Sequence, residues 1–589
     1  MDIDASFPPH VLREYALLGD GERGAVIGPR GDICWLCVPS WESGAVFSTL
    51  IGGAGCYAVT PVDPFVWGGY YERGSLIWVS RWVTTTGTVE CREALRMPAD
   101  RGRAVLLRRI TAQDAPVVVQ VVLEVRAGYG TESMRETHRA DDGTWTGRSG
   151  PVHFRWSGAD RAVRRGRGPL ETEIRLEAGQ SHDLVLELGT ERPDGPAPDP
   201  GVAWSETRTA WARAVPHLGD DVLAPRDARA AMAVLTGLTS TDGGMAAAAT
   251  MSLPERAGAG RNYDYRYAWI RDQCYAGRAV AAHGHFQLLD AAVRFTSERL
   301  LDDGPHLKPA YTVNGGRVPD EQQLTHLSGY PGGSDKVGNW VNQQFQLDAF
   351  GEVLELLAVA SSHDRLDAGH WDAAEAAVAA IEARAGDPDA GIWEIDNERW
   401  AHSRLTCVSG LRAVAAQAPA PQSGRWSALA DAILADVSSD CIHRDGRWKR
   451  SPTDDRVDAA LLMPIIRGGL PVEDPRSRAT IAAVEDDLAD DDFVYRFRHD
   501  ARPLGEAEGA FLLCGFVLAL AKQRMGDIVS ARVLFERNRS APGPPGLLTE
   551  EFDVEQRQLR GNLPQAFVHA LLLECSAELG VDGPTTPTR

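Results

Sequence analysis

Three short stretches of this chain place carboxylates beside aromatic rings. The first runs Arg261-Asn262-Tyr263-Asp264-Tyr265-Arg266-Tyr267-Ala268-Trp269-Ile270-Arg271-Asp272. The second is Gly391-Ile392-Trp393-Glu394, and the third is Leu548-Thr549-Glu550-Glu551-Phe552-Asp553. That combination suits a sugar, because aromatic faces stack on its C–H surface while charged groups fix its hydroxyls. Hydrolysing an acetal takes one acid to protonate the leaving oxygen and one base to activate water on the opposite face. Two carboxyl groups, set apart by room for a water, can do both. Trp393 beside Glu394 would supply the apolar surroundings that keep such an acid protonated. Each stretch alone also fits a plainer reading, with Glu394 an exposed loop carboxylate and Arg271-Asp272 a structural ion pair.

Two other motifs carry less. Cys34 and Cys37 form a Cys-x-x-Cys, but the run Asp32 to Val38 reads as a buried strand, and no second cysteine pair stands near to complete a zinc site. The glycines of Gly258-Ala259-Gly260-Arg261 follow no strand and precede no Gly-Lys-Ser, which argues against a phosphate loop. Bulk properties narrow the classes further. A net charge of −21 opposes a polyanionic partner such as nucleic acid or an anionic membrane surface, and says little about a neutral ligand. Nine cysteines over 589 residues make no disulfide framework, and the acidic start Met1-Asp2-Ile3-Asp4 lacks the pattern of a secretory signal. A cytoplasmic location is expected.

The elements that must hold these stretches change character near residue 200. Before it, β-rich runs alternate with turns at Leu76–Val83, Ala104–Ile110, Val117–Val125, Val152–Trp156, Leu170–Leu176 and Leu184–Leu188, which suggests an antiparallel sandwich. The proline- and glycine-rich segment Arg192 to Gly201 reads as a linker free of regular structure. After it, helical periodicity takes over. Leu347, Phe350, Leu354 and Leu357 share one face, and Ala510 to Ala521 is apolar nearly all round. Further helices are expected at 206–215, 225–238, 371–383, 425–436, 475–486, 529–537 and 564–578. Many helices with long loops between them suit a barrel of helical hairpins whose loops build a pocket at one end. The expected division is a sandwich at 1–190, a linker region with a helical segment at 191–222, a barrel at 223–580 and a flexible tail at 581–589.

The order of these segments resembles glycoside hydrolase family 15, the glucoamylases and bacterial trehalases, over nearly the whole chain. Leu18 to Gly28 and Trp35-Leu36-Cys37-Val38-Pro39 look like the N-terminal sandwich of bacterial members. Ser252-Leu253-Pro254-Glu255 followed by Tyr263 to Tyr267 and Trp269-Ile270-Arg271-Asp272 looks like the start of the family's barrel. Gln344 to Asp348, Glu508 to Cys514 and Gly561 to Phe567 match further segments. The resemblance implies a two-domain fold: an N-terminal antiparallel β-sandwich followed by an all-α (α/α)6 barrel that carries the active site. It implies Glu394 as general acid and Glu550 as general base, with Glu551 the neighbour to which that assignment could slip. It implies Arg271 and Asp272 as the pair gripping the non-reducing glucose, Tyr265, Trp269 and Trp393 as aromatic walls, and neither metal nor organic cofactor.

Departures from the family pattern fall on the leaving-group side. Bacterial members carry a Gly-Ser-x-Pro-Val-Arg-Ile-Gly-Asn stretch where this chain has the shorter Gly333-Ser334-Asp335-Lys336-Val337-Gly338-Asn339-Trp340. Lys336 lacks the planar fork of an arginine, and Trp340 replaces a small residue. Both are expected near the departing group. Cys34 replaces an aspartate in the first domain. The expected activity is inverting, exo-acting hydrolysis of a short α-glucoside with release of β-glucose. Trehalase, or glucoamylase action on maltooligosaccharides, stands behind it, and an inverting phosphorylase or an inactive sugar-binding protein stands further back. The expected partner is a small neutral carbohydrate; a homo-oligomer is left open.

Overall fold

Alternation of inward and outward side chains builds the N-terminal half. The computed structural model describes residues 7–219, 221–258, 260–499 and 502–580; the expected tail at 581–589, the acidic start at 1–4 and Ala259 of the glycine segment lie outside the described residues. The strands are β1 (Ala16–Gly19), β2 (Gly24–Ile27), β3 (Asp32–Cys37), β4 (Ala45–Phe47), β5 (Cys56–Pro61), β6 (Phe65–Tyr71), β7 (Trp78–Thr84) and β8 (Thr88–Leu95). Then come β9 (Arg103–Ala112), β10 (Val117–Glu124), β11 (Met134–Arg139), β12 (Trp145–Ser149), β13 (Val152–Ser157), β14 (Val163–Arg164), β15 (Leu170–Leu176) and β16 (Ser181–Gly189). They form two antiparallel sheets, ordered β1-β2-β3-β5-β10-β15-β14, with β4 on β3, and β11-β12-β13-β16-β9-β8-β7-β6. Between them lies a core that includes Tyr57, Trp82, Ile110, Val119, Val121, Trp156 and Leu186.

The outer face of β3 is apolar too, because the helices cover it. Along β3, Ile33 and Leu36 join the sandwich core, while Cys34 and Cys37 join the core shared with the helices. All nine cysteines are buried. Cys34 and Cys37 therefore sit as packing groups between the two halves of the chain. Burial raises the Cys37 thiol to about 11 against the pull of Arg266.

The linker expectation needs one correction. Helix α1 (Pro200–Ala214) begins inside the proline-rich segment, with Asp199 accepting a hydrogen bond from Val202 N at 2.8 Å and Pro200 in the first turn. Proline is suited to that position, where its missing N–H has no helical partner to lose. Among the described residues twelve further helices follow: α2 (Pro225–Leu238), α3 (Ile270–Ala281), α4 (Phe286–Asp303), α5 (Asp348–Ser362), α6 (Ala368–Arg384) and α7 (Ala401–Ala415), then α8 (Ala420–Asp440), α9 (Met463–Ile466), α10 (Pro475–Leu488), α11 (Leu512–Arg524), α12 (Ile528–Arg539) and α13 (Ala566–Glu578).

Their packing closes a ring. The chain α3, α5, α7, α9, α11, α13 and back to α3 is one of successive neighbours, and α2, α4, α6, α8, α10 and α12 pack outside it. This is an (α/α)6 barrel. Inner helices such as α5, α11 and α13 are buried on nearly every side, whereas outer helices such as α8 bury one stripe, here Trp426, Ala430, Ile433 and Val437. Every helix expected from the sequence is present, 225–238 with the same ends and the others with somewhat different ones. Helices α3, α4, α7 and α9 were not among those expected.

Candidate active site

The first of the three stretches runs without helix up to Trp269, and over Tyr263 to Arg266 its alternate side chains go to opposite sides. The rings of Tyr263 and Tyr265 stack, with centroids 6.0 Å apart. Asp264 and Arg266 point the other way, into the contact with the sandwich, and both are fully buried. Arg266 binds Asp264 through Nε (2.8 Å) and Nη2 (2.7 Å). It also donates to Cys37 Sγ (3.2 Å), Trp41 O (3.0 Å), Ser43 O (2.9 Å) and Tyr129 Oη (3.2 Å). One guanidinium thus fastens the tyrosine-bearing strand to the first domain.

Where this run stops, α3 begins, with Arg271 and Asp272 in its first turn, where the helix end favours a carboxylate. Arg271 donates to Ile392 O at 2.9 Å and lies 3.8 Å from both Asp272 Oδ2 and Glu394 Oε1. Asp272 is 1% exposed, and neither of its oxygens has a hydrogen-bond partner of ordinary geometry. Burial drives its carboxyl up to about 7, against the opposing charge of Arg271.

Glu394 ends a tight turn. Gly391 takes φ +63°, and a Cβ there would sit 2.6 Å from Trp400 Cδ1; Glu394 itself takes φ +55°. A non-glycine residue in that region carries backbone strain, which persists only where the surroundings enforce it. Here Asp389 accepts from Gly391 N at 2.8 Å, and Ala390 N donates to Phe345 O at 2.8 Å. Glu394 Oε1 accepts from Trp269 Nε1 at 2.8 Å, and Oε2 from Gln344 Nε2 at 3.4 Å. Trp393 does not pair with it. Its indole N–H turns to Asp458 (2.9 Å) and its ring packs edge-on against Phe511. The aromatic partner of Glu394 is Trp269, which the sequence reading gave only as a wall.

Strand alternation separates the two neighbouring glutamates of the third stretch. Glu550 faces a cleft of about 450 Å3 that is also lined by Tyr265, Trp269, Arg271, Asp272, Trp393 and Glu394. Glu551 faces the other way, accepts from Gly509 N at 2.8 Å and lies 3.8 Å from Arg496. Tyr265 Oη is 3.5 Å from Glu550 Oε1, and the Tyr265 and Trp269 rings meet edge to face at 5.4 Å. The two candidate carboxylates are thus joined by a pair of touching aromatic residues. Burial, then the charges of Glu255 and Glu551, pushes the Glu550 carboxyl well above the usual carboxylate range, with Arg496 opposing.

Seven of the nine residues expected at the site line this cleft, and Lys336 and Trp340 do not. Lys336 pairs with Glu321 at 3.2 Å and stands over the Tyr263 ring at 5.7 Å, one ring beyond Tyr265. Trp340 opens a short 3-10 turn. Arg496, Phe511, Gln565 and Phe567 line the cleft without having been singled out. A signal for Arg496 existed, since Phe493-Val494-Tyr495-Arg496-Phe497-Arg498-His499 mixes rings and charges as the other stretches do. Among the described residues no cluster of His, Cys, Asp and Glu could hold a metal ion, and no helix is long and apolar enough to cross a membrane.

Comparison with known proteins agrees with this architecture. The profile of glycosyl hydrolases family 15 matches residues 229–577, and a trehalase-like N-terminal profile matches residues 8–206. The chain is 31% identical to the trehalase of Mycolicibacterium smegmatis, over 96% of this chain and 90% of that one. It is 31% identical to the trehalase of Mycobacterium tuberculosis, over 96% and 89%. A bacterial glucoamylase solved with acarbose superposes with a TM-score of 0.73 at 13% identity, over 96% of this chain and 93% of that one. The chain belongs to glycosyl hydrolase family 15 and is a glycoside hydrolase acting on an α-glucoside.

Proposed function

We propose that this chain hydrolyses α,α-trehalose in a single inverting displacement, with Glu394 as the acid and Glu550 as the base. The observation that carries the assignment is the shared cleft: Glu394 and Glu550 both face it and are bridged by Tyr265 and Trp269. Glu394 gives its proton to the glycosidic oxygen through Oε2, which is held only by the longer 3.4 Å contact from Gln344, whereas Trp269 holds Oε1 at 2.8 Å. As the C1–O bond breaks, a water attacks C1 from the opposite face and passes a proton to Glu550. Asp272, buried beside Arg271 with neither oxygen in a hydrogen bond of ordinary geometry, can accept from hydroxyls of the glucose being cut. Trehalose stood behind other short α-glucosides in the sequence reading. The trehalase names of the mycobacterial relatives favour it as the substrate. Nine buried cysteines fit a reducing cytoplasm, the location we assign.

A kcat/KM series over trehalose, maltose, isomaltose, kojibiose and maltoheptaose tests the substrate. Trehalose should rank first. Efficiency that climbs with maltooligosaccharide length would overturn the assignment in favour of a glucoamylase.

A further inference from the structure

Each turnover of such a hydrolase leaves the base protonated and the acid ionised. Before the next one, the base must lose its proton. Behind Glu550 lies a second, wider cavity of about 1320 Å3, lined among others by Glu255, Tyr495, Glu508, Gly509 and Asp553. Glu255 is 4% exposed and has no part in the displacement itself. Its Oε1 is 3.4 Å from Tyr265 Oη, the same hydroxyl that stands 3.5 Å from Glu550 Oε1. Its other oxygen is 3.0 Å from Arg261 Nη2. The two glutamates also close on one glycine. A Cβ on Gly561, which takes φ +82°, would lie 3.6 Å from Glu550 Cβ and 3.7 Å from Glu255 Cγ.

Resting on the assignment of Glu550 as base, we propose that Glu255 is a positioning residue that relays the proton gained by Glu550 through Tyr265 into the second cavity. The transfer balances. The protonated Glu550 donates to the Tyr265 hydroxyl oxygen, whose own proton passes to ionised Glu255, and Glu255 releases it to water in the wide cavity. Tyr265 ends as it began, which a hydroxyl able both to donate and to accept permits. The charged and titratable groups around this path are Arg261, Tyr263 and Tyr265 on the first stretch, Arg496 and Glu508 across the cavity wall, and Glu551 beside the base. Arg261 also binds Glu508 at 2.9 Å, so Glu255 meets it as part of a fixed frame. Cleft and cavity are thus joined at one hydroxyl flanked by two carboxylates, whose side chains also come within hydrogen-bonding reach of each other.

The test compares wild type, Glu255→Gln and Glu255→Asp at rising concentrations of formate and imidazole buffers. The glutamine variant keeps shape but carries no proton. Its kcat should fall roughly a hundredfold, the scale of a lost proton-transfer group, while KM holds. Rising buffer should restore it, because small acids and bases can exchange the proton directly with Glu550 through the catalytic cleft that Glu550 lines. Wild-type kcat should ignore buffer concentration. The aspartate variant should lose less, and it serves if the glutamine variant folds poorly. A loss in either variant that no buffer restores, or no loss at all, overturns the relay. Glu550→Gln is run alongside. If it is inactive while the Glu255 variants show no buffer dependence, the relay alone fails; if it stays active, the base assignment fails and the relay with it.

Discussion

Replacing Asp272 by Asn should make the free enzyme more stable and less active. The carboxyl is buried without hydrogen-bond partners of ordinary geometry. Displacement from 3.8 to about 7 corresponds to about 4 kcal/mol of unfavourable charge burial above pH 7, at about 1.4 kcal/mol per pH unit. The folded state holds this proton more tightly than the unfolded chain between pH 4 and 7. Stability therefore falls as pH rises through that window, and the penalty is fully present above it. Asn never ionises and so removes the penalty, though its amide is itself left short of partners, at a cost of about 1–3 kcal/mol. The Tm of Asp272→Asn, measured against wild type at each pH so that other titrating groups cancel, should be higher at pH 8 and lose that advantage as pH falls toward 4. Activity should move the opposite way. A sugar hydroxyl donating to a charged acceptor is worth about 1.5–3 kcal/mol, and losing one such bond lowers kcat/KM roughly 10- to 150-fold. A variant less stable than wild type at pH 8 would show that the carboxylate is a structural partner of Arg271 and would refute the reasoning.

Glu394→Gln and Glu550→Gln should each lower kcat roughly 10²- to 10⁴-fold with substrate binding largely kept, whereas Glu551→Gln, turned away from the cleft, should lose far less; steady-state kinetics on the three variants decides. Glu550 must be ionised to act, and burial with two neighbouring carboxylates raises its pKa, so kcat/KM should climb with pH on the acid side. Removing the Glu551 charge should move that limb to lower pH, read from pH profiles of wild type and Glu551→Gln. Arg266→Met strands the buried Asp264 carboxylate and should cost about 3–5 kcal/mol, measured by denaturant unfolding, with a fall in kcat as the Tyr265 strand loses its anchor.

Much of this was legible in the sequence, for identifiable reasons. Outer helices such as Ala420–Asp440 and Pro475–Leu488 bury one stripe against the ring and so show their period. Inner helices bury every side. In Ala401–Ala415 even His402, Ser403, Arg404 and Thr406 are buried, so no apolar stripe marks it. Ile270–Ala281 is masked likewise by Asp272 and Gln273 on its inner face. Phe286–Asp303 is different, because Leu289, Val293, Thr296 and Leu300 do stand at helical spacing and the period was there to find. At the site, composition pointed to the right loops but not to contacts. Whether Glu394 meets Trp393 or Trp269 depends on a turn with two positive φ values, and nothing in Gly-Ile-Trp-Glu announces the second of them. Lys336 and Trp340 were drawn toward the cleft by a departure in a motif. The fold instead spends that segment on a strand pairing with Gln322–Gln323, outside the cleft wall.

Proton NMR of the anomers formed in the first moments of trehalose hydrolysis tests the central claim most directly. Water attacking C1 opposite the leaving oxygen turns one glucose into the β anomer, while the glucose that departs keeps its α configuration. Inversion should give α- and β-glucose in equal amounts before mutarotation sets in. Release of α-glucose alone would mean retention through a covalent intermediate, and would contradict the assignment of Glu550 as the base that activates water.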